Sequence, residues 1–177
     1  MAWGDQRKAR GVKRERLILG AMAMTSAAVV AAALVGQHRF DMQPCPWCIL
    51  QRLIYVVIAI VAVIGITLPS KGAGRRVVLM LISLFSAAGA CAALYQNRVA
   101  VNLASCDMTL ADRIISGLGV DALLPDVFEV RASCAEAAVR LLGVPFELWS
   151  LALYVSLGVA AVSVVLGMTG SGRGKRT

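Results

Sequence analysis

The sequence predicts an all-α integral membrane protein: four transmembrane helices in a bundle, with two cysteine-bearing loops on one side and short interfacial helices. Three observations lead there. Of 177 residues, 59% are hydrophobic and only 16% charged, against roughly 25% charged in soluble domains. The apolar residues are gathered into four runs, 17–36, 49–68, 77–95 and 148–168. Each is close to the ~20 helical residues that cross a bilayer core of about 30 Å. Soluble core helices of such length would carry a polar stripe, and these do not.

The elements follow in order as a single membrane domain, 1–177. The leader 1–16 is basic, with Arg7, Lys8, Arg10, Lys13, Arg14 and Arg16. The first run, 17–36, exceeds the roughly 7–15-residue apolar region of a signal peptide, so it is expected to remain as the first span. The loop 37–48 contains His38, the only histidine, with Cys45 and Cys48. The second span, 49–68, has one charge, Arg52. The link 69–76 adds Lys71, Arg75 and Arg76, and the tail 169–177 adds Arg173, Lys175 and Arg176. These basic groups fall on one side of a four-span topology, which the positive-inside rule assigns to the cytoplasm together with both termini. The net charge of +8 therefore orients the chain, and no nucleic-acid role is expected from it.

The third span, 77–95, holds Cys91 among small residues in "SAAGACAALY", where close helix packing is expected. The loop 96–147 is the only sizeable polar part and holds Cys106 and Cys134. Thr109 followed by Asp112 should cap a helix over "ADRIISGL", and Ser133 followed by Glu136 one over "CAEAAVRLL" ended by Gly143. Cys134 should then take the first helical position, where the dipole favours a thiolate. "LLPDVFEV" is expected on the membrane surface. In the last span, 148–168, Trp149 and Tyr154 read as interface and packing residues.

Four cysteines on one side allow three pairings; adjacency favours Cys45 with Cys48, leaving Cys106 with Cys134. They can brace the loops, bind zinc or exchange electrons. Zinc usually recruits two close pairs, and Cys106 and Cys134 are far apart in sequence. A Cys-x-x-Cys bridge closes too small a loop to stabilise much and is better suited to exchange. Cys48 should lie in the first turn of the second helix, where free amides and the dipole favour its thiolate. Arg52 is four residues on, on the same face. There it is either an interfacial anchor that snorkels or a cation serving the thiolate and a lipid-phase electron acceptor.

"QHRFDMQPCPWCILQR" (37–52), "CDM" at Cys106 and "LLPDVFEVRASCAEAAVRLLGVPFELWSLALY" (123–154) resemble the DsbB family of bacterial disulfide-generating membrane proteins, over essentially the whole chain. The resemblance implies an inner-membrane thiol:quinone oxidoreductase that reoxidises a DsbA-like thioredoxin-fold protein in the periplasm, with ubiquinone or menaquinone as cofactor. It assigns Cys45 and Cys48 to the quinone-proximal pair, Cys106 and Cys134 to the partner-facing pair, and Arg52 to quinone support. His38 reads first as an interfacial side chain and second as a proton donor to the reduced quinone at the same site. Gln51 stands where the family often has an acid, and "YQNR" (95–98) lacks a histidine some members carry. The alternative is a non-enzymatic membrane protein whose disulfides only brace its outer loops.

Overall fold

The computed structural model describes residues 2–69, 73–100 and 109–173, without the side chains of 2–5, 7–9 and 168–173. Seven helices and one small hairpin occur among them: α1 Ala2–Phe40, α2 Pro46–Thr67, α3 Ala73–Arg98, α4 Leu110–Leu118, α5 Val120–Leu123, α6 Pro125–Phe128, β1 Arg140–Leu141, β2 Val144–Pro145 and α7 Phe146–Arg173. Four are long and apolar enough to cross a membrane, over Arg10–Phe40, Pro46–Thr67, Ala73–Arg98 and Phe146–Gly167. This is an all-α, four-span membrane protein.

Each long helix overruns its apolar segment. The leader stretch "RKARGVKRERL" is rich in good helix formers, and α1 runs through it from Ala2. At the other end nothing breaks the helix until Asp41, whose φ of 52° stops it. The expected loop 37–48 therefore shrinks to a short connection before Pro46. Proline fits the first turn of α2, where its missing N–H would have no helical partner.

In the bundle α1 packs on α2, α2 on α3, and α3 most extensively on α7. Lipid gives no hydrophobic drive for helices to associate, so small residues and interhelical hydrogen bonds carry the packing. Gly89 of α3 supplies the closest approach, since a Cβ there would run into the Tyr154 ring of α7. Tyr154 stacks on Tyr55 of α2, centroids 4.2 Å apart, and its hydroxyl donates to the Gln51 carbonyl at 2.7 Å. The Tyr55 hydroxyl donates to the Ser150 carbonyl at 3.1 Å. These two rings lock α2 to α7 at the level of Gly89. Cys91, expected to pack between helices, instead faces outward on α3, because the Gly89 phase of the helix takes the contact.

At the basic end, fully buried Arg75 donates to Glu15 at 3.1 Å and to the Leu68 carbonyl at 2.7 Å, joining α1, α2 and α3. At the opposite end, α4 opens with the Thr109–Asp112 capping box and closes at Gly119 with φ of 65°. Its Ala111 and Ile115 are buried where it packs on α2. The expected second helix does not form. The Ser133–Glu136 box is made, with Ser133 N–H donating to Glu136 at 2.9 Å, yet it caps only a turn. So short a helix is marginal by itself. The chain turns back at Leu142 and Gly143, both at positive φ, and pairs Arg140 with Pro145 and Leu141 with Val144. Positive φ at both turn residues marks a type I′ hairpin. Gly143 thus ends a hairpin, not a helix.

Filling the α3–α7 contact is expected to destabilise the bundle. Gly89→Val should cost about 1–3 kcal/mol by overpacking and lower the Tm in detergent. Gly158→Ala, whose added carbon would meet Ser86 at an ordinary 3.4 Å, should change the Tm little. Equal effects of the two substitutions would place the close contact elsewhere.

Candidate functional site: a dithiol beside a buried cation

Cys45 is the N-cap of α2, and its sulfur accepts from the Cys48 N–H at 3.3 Å. That capping contact folds the short "CPWC" segment so that the two sulfurs lie 2.7 Å apart. The peptide groups of Arg131 and Ala132 both donate to the Pro44 carbonyl, at 3.0 and 3.3 Å. This clamp pins the second loop to the first immediately before Cys45 and lays Cys134 against it, although the two residues are distant in sequence.

Cys45 therefore stands between two sulfurs. Hydrogen bonding to Cys134, then to Cys48, together with burial, pushes the Cys45 thiol well above its usual range. The same Cys45 contact holds the Cys134 thiol below its usual value, helped by the Trp47 N–H and opposed by burial. Cys134 was expected to owe its thiolate to a helix dipole. With no helix there, its neighbour's thiol takes that part.

Arg52 is 6% exposed and no snorkelling anchor. Its guanidinium donates to Gln37 Oε1 of α1 at 3.0 Å and to the Val127 carbonyl of α6. Gln37 in turn donates to the Asp126 carbonyl at 3.3 Å. "LLPDVFEV" is thus drawn onto the bundle end, with Phe128 buried, instead of only lying on the surface. Arg52 Nε has no partner among the described residues, and the guanidinium is within electrostatic reach of the Cys48 sulfur.

Cys48 and Arg52 both line a cavity of about 230 Å³ walled by Val29, Ala33 and Gly36 of α1, Gln51 and Tyr55 of α2, and Trp149, Ser150 and Leu153 of α7. It is smaller than the roughly 300–1,000 Å³ of drug-sized sites, a space for one ring. Gln96 of α3 donates to the Cys48 sulfur at 3.3 Å and accepts from Gln51 at 2.7 Å. Gln51 and Gln96 thus complete a neutral chain of hydrogen bonds to Cys48.

The structure thus brings Cys45, Cys48, Cys134 and Arg52 together. Cys106 lies outside the described residues. His38 is not brought in: it is exposed, its ring Nδ1 pairs with the Leu34 carbonyl at 2.9 Å, and it does not line the cavity. Helical phase gives the inward position to its neighbour Gln37. Trp149, expected only at the interface, also forms part of the cavity wall. Gln37, Gln96, Asn97 and Glu147 were not singled out by sequence. Each is a polar residue near the end of an apolar run, and only that position could have flagged it.

Fold and site together define a multi-pass membrane protein built around a dithiol and a buried arginine. The family model for disulfide bond formation protein DsbB matches residues 15–164, and the chain belongs to that family. Disulfide bond formation protein B of Burkholderia pseudomallei (strain 1106a) is 35% identical over 156 residues, 87% of this chain and 92% of its own. The protein of that name from Burkholderia thailandensis is 32% identical over 154 residues, covering 86% and 90%. Disulfide bond formation protein B 1 of Pseudomonas syringae pv. syringae is 31% identical over 159 residues, covering 88% and 92%.

The Cys45–Cys134 contact makes a pH-dependent prediction. A lowered folded-state value means that the Cys134 thiolate appears at lower pH than the usual thiol midpoint of about 8.5. In the reduced protein, alkylation of Cys134, followed by peptide mass spectrometry, should therefore rise with a midpoint below that value. Cys45→Ala should shift the midpoint upward; an unchanged midpoint would mean that the Cys45 contact does not tune Cys134.

Proposed function

We propose that the chain is a thiol:quinone oxidoreductase of the bacterial inner membrane, which reoxidises a DsbA-like thioredoxin-fold protein of the periplasm and delivers the electrons to ubiquinone or menaquinone. The observation that carries this is the position of Cys48. One side of its turn meets Cys45, itself in contact with Cys134, while its sulfur opens on a mostly apolar cavity beside a buried arginine. Loop-bracing disulfides alone would need neither the cavity nor the cation.

The cavity suits a quinone head. Its walls are largely the apolar side chains of the membrane-spanning helices, and Arg52 among them brings a guanidinium whose charged N–H donors suit a carbonyl oxygen. A bound quinone supplies a lipid-soluble acceptor of two electrons and two protons. Arg52 would hold it, with Cys48, Gln51 and Tyr55 forming the floor.

Thiol exchange connects the outer loop to this floor. A partner thiolate attacks Cys106 of a Cys106–Cys134 bridge and expels Cys134; the partner's second thiol then attacks the partner's sulfur in that mixed disulfide, closing the partner's own bridge and releasing Cys106 as a thiolate. Cys134, already against Cys45, attacks that sulfur and expels Cys48 as the thiolate beside the cavity. Low thiol pKa makes a good leaving group, which favours departure of Cys134 in the first step. Return of Cys106 to Cys134 leaves Cys45 and Cys48 as the reduced pair that faces the acceptor. The orientation follows from the basic leader, link and tail, which by the positive-inside rule stand in the cytoplasm and leave both cysteine loops in the periplasm.

The test is quinone reduction by the purified protein supplied with a reduced thioredoxin-fold partner. The wild type should reduce a short-chain ubiquinone or menaquinone. Arg52→Ala should raise the quinone KM by about tenfold or more, the scale of a hydrogen bond from a charged group, with exchange between partner and protein nearly intact. Absence of quinone reduction in the wild type would overturn the reading, and an unchanged KM would remove Arg52 from it.

A further inference from the structure

The cavity contains one group for which electron transfer alone has no use. Glu147, at the start of α7, is 5% exposed and is the only carboxylate lining the cavity among the described residues. Among the described residues it makes no ion pair; the salt bridges found there are Arg75–Glu15 and Arg131–Glu129. Its Oε1 instead accepts from the Asn97 side chain of α3 at 2.9 Å. Its carboxyl thus stands in the first turn of α7 on a cavity wall that is mostly apolar, held by one neutral amide.

The other titratable groups on the cavity are all on α2. Arg52 keeps its proton, the Tyr55 hydroxyl is committed to Ser150, and Cys48 is the electron donor. The lining residues of α1 and α3 and of the segment before α2 carry none. Nearby Glu136 is exposed and bound within its own capping turn, and Arg98 and Arg140 are exposed.

We infer that Glu147 is the proton-transfer residue of this cavity, with Asn97 as its positioning residue; this rests on the reading of the cavity as a quinone site. Forming the Cys45–Cys48 disulfide releases two electrons and two protons, and converting a quinone to its quinol consumes both. The sulfurs supply the electrons. Glu147 gives a proton from its carboxyl to the acceptor oxygen and regains one from the water at the cysteine end, where the thiols release theirs, once for each proton delivered. Asn97, by holding Oε1, leaves Oε2 to carry the proton. Arg52 and Glu147 then divide the work: the cation holds the acceptor and the carboxyl protonates it.

The experiment compares Glu147→Gln and Glu147→Asp in the full chain, with a short-chain ubiquinone as acceptor and a reduced thioredoxin-fold partner. General acid catalysis contributes typically 10²–10⁴-fold, so Glu147→Gln should lower kcat about 100-fold or more. Its quinone KM and the rate of thiol exchange in quinone-free protein should be unchanged. Glu147→Asp should recover more of kcat than the near-isosteric Gln. Infrared difference spectra of quinone reduction should show a carboxyl band in the wild type that Glu147→Gln removes. Wild-type kcat in Glu147→Gln, or Gln surpassing Asp as a merely structural role demands, overturns the inference and leaves the quinone reading standing. A wild type that reduces no quinone overturns both.

Discussion

A buried arginine with no carboxylate partner among the described residues is the constraint on which the site depends. Removing a cation from water is expensive unless polar groups surround it, and Arg52 lies one turn inside an apolar helix. Its needs are met by Gln37 from α1 and the Val127 carbonyl from α6. Satisfying one charge therefore fixes the end of α1, the start of α2 and the middle of the second loop relative to one another. The clamp of Arg131 and Ala132 on Pro44 is the neighbouring consequence, for α6 must already be seated if the following residues are to reach the first loop. The same constraint sets the Arg52 side chain in the wall of the cavity.

The four spans were legible because the chain is blocked into apolar runs with polar interruptions, and a bilayer demands that length. Helix ends were less legible, since helix propensity continues where hydropathy stops: α1 runs on through His38 to Phe40. The hairpin at 140–145 was not legible. The sequence "CAEAAVRLL" carries a sound capping box, yet the helix it announces is too short to persist without packing, and Leu142 is an unusual residue for positive φ. Within the site, Cys45, Cys48 and Arg52 could be read because their relations are local, at spacings of three and four. Gln37, Gln96, Asn97 and Glu147 come from three different helices, and no spacing rule relates them. The choice between His38 and Gln37 turned on helical phase alone, which shifts by about 100° per residue.

The chain uses neutral amides where a charged side chain would be harder to bury. Gln51 and Gln96 satisfy each other and leave an N–H for the Cys48 sulfur. The one carboxylate admitted to the cavity is steadied by another amide, Asn97. Among the described residues, the Arg, Lys, Asp and Glu side chains lining the cavity are thus Arg52 and Glu147 alone.

The order of the sulfurs is the central claim: Cys45 lies between Cys134 and Cys48, the order that the proposed relay needs if electrons are to enter at Cys45 and leave from Cys48. The most direct measurement is disulfide mapping by mass spectrometry after mild oxidation of two double variants, each carrying Cys106→Ala. With Cys48→Ser, a Cys45–Cys134 bridge is expected in high yield. With Cys45→Ser, little Cys48–Cys134 bridge should form, because Cys48 faces the cavity. A ready Cys48–Cys134 bridge, with Cys45–Cys134 scarce, would contradict the order.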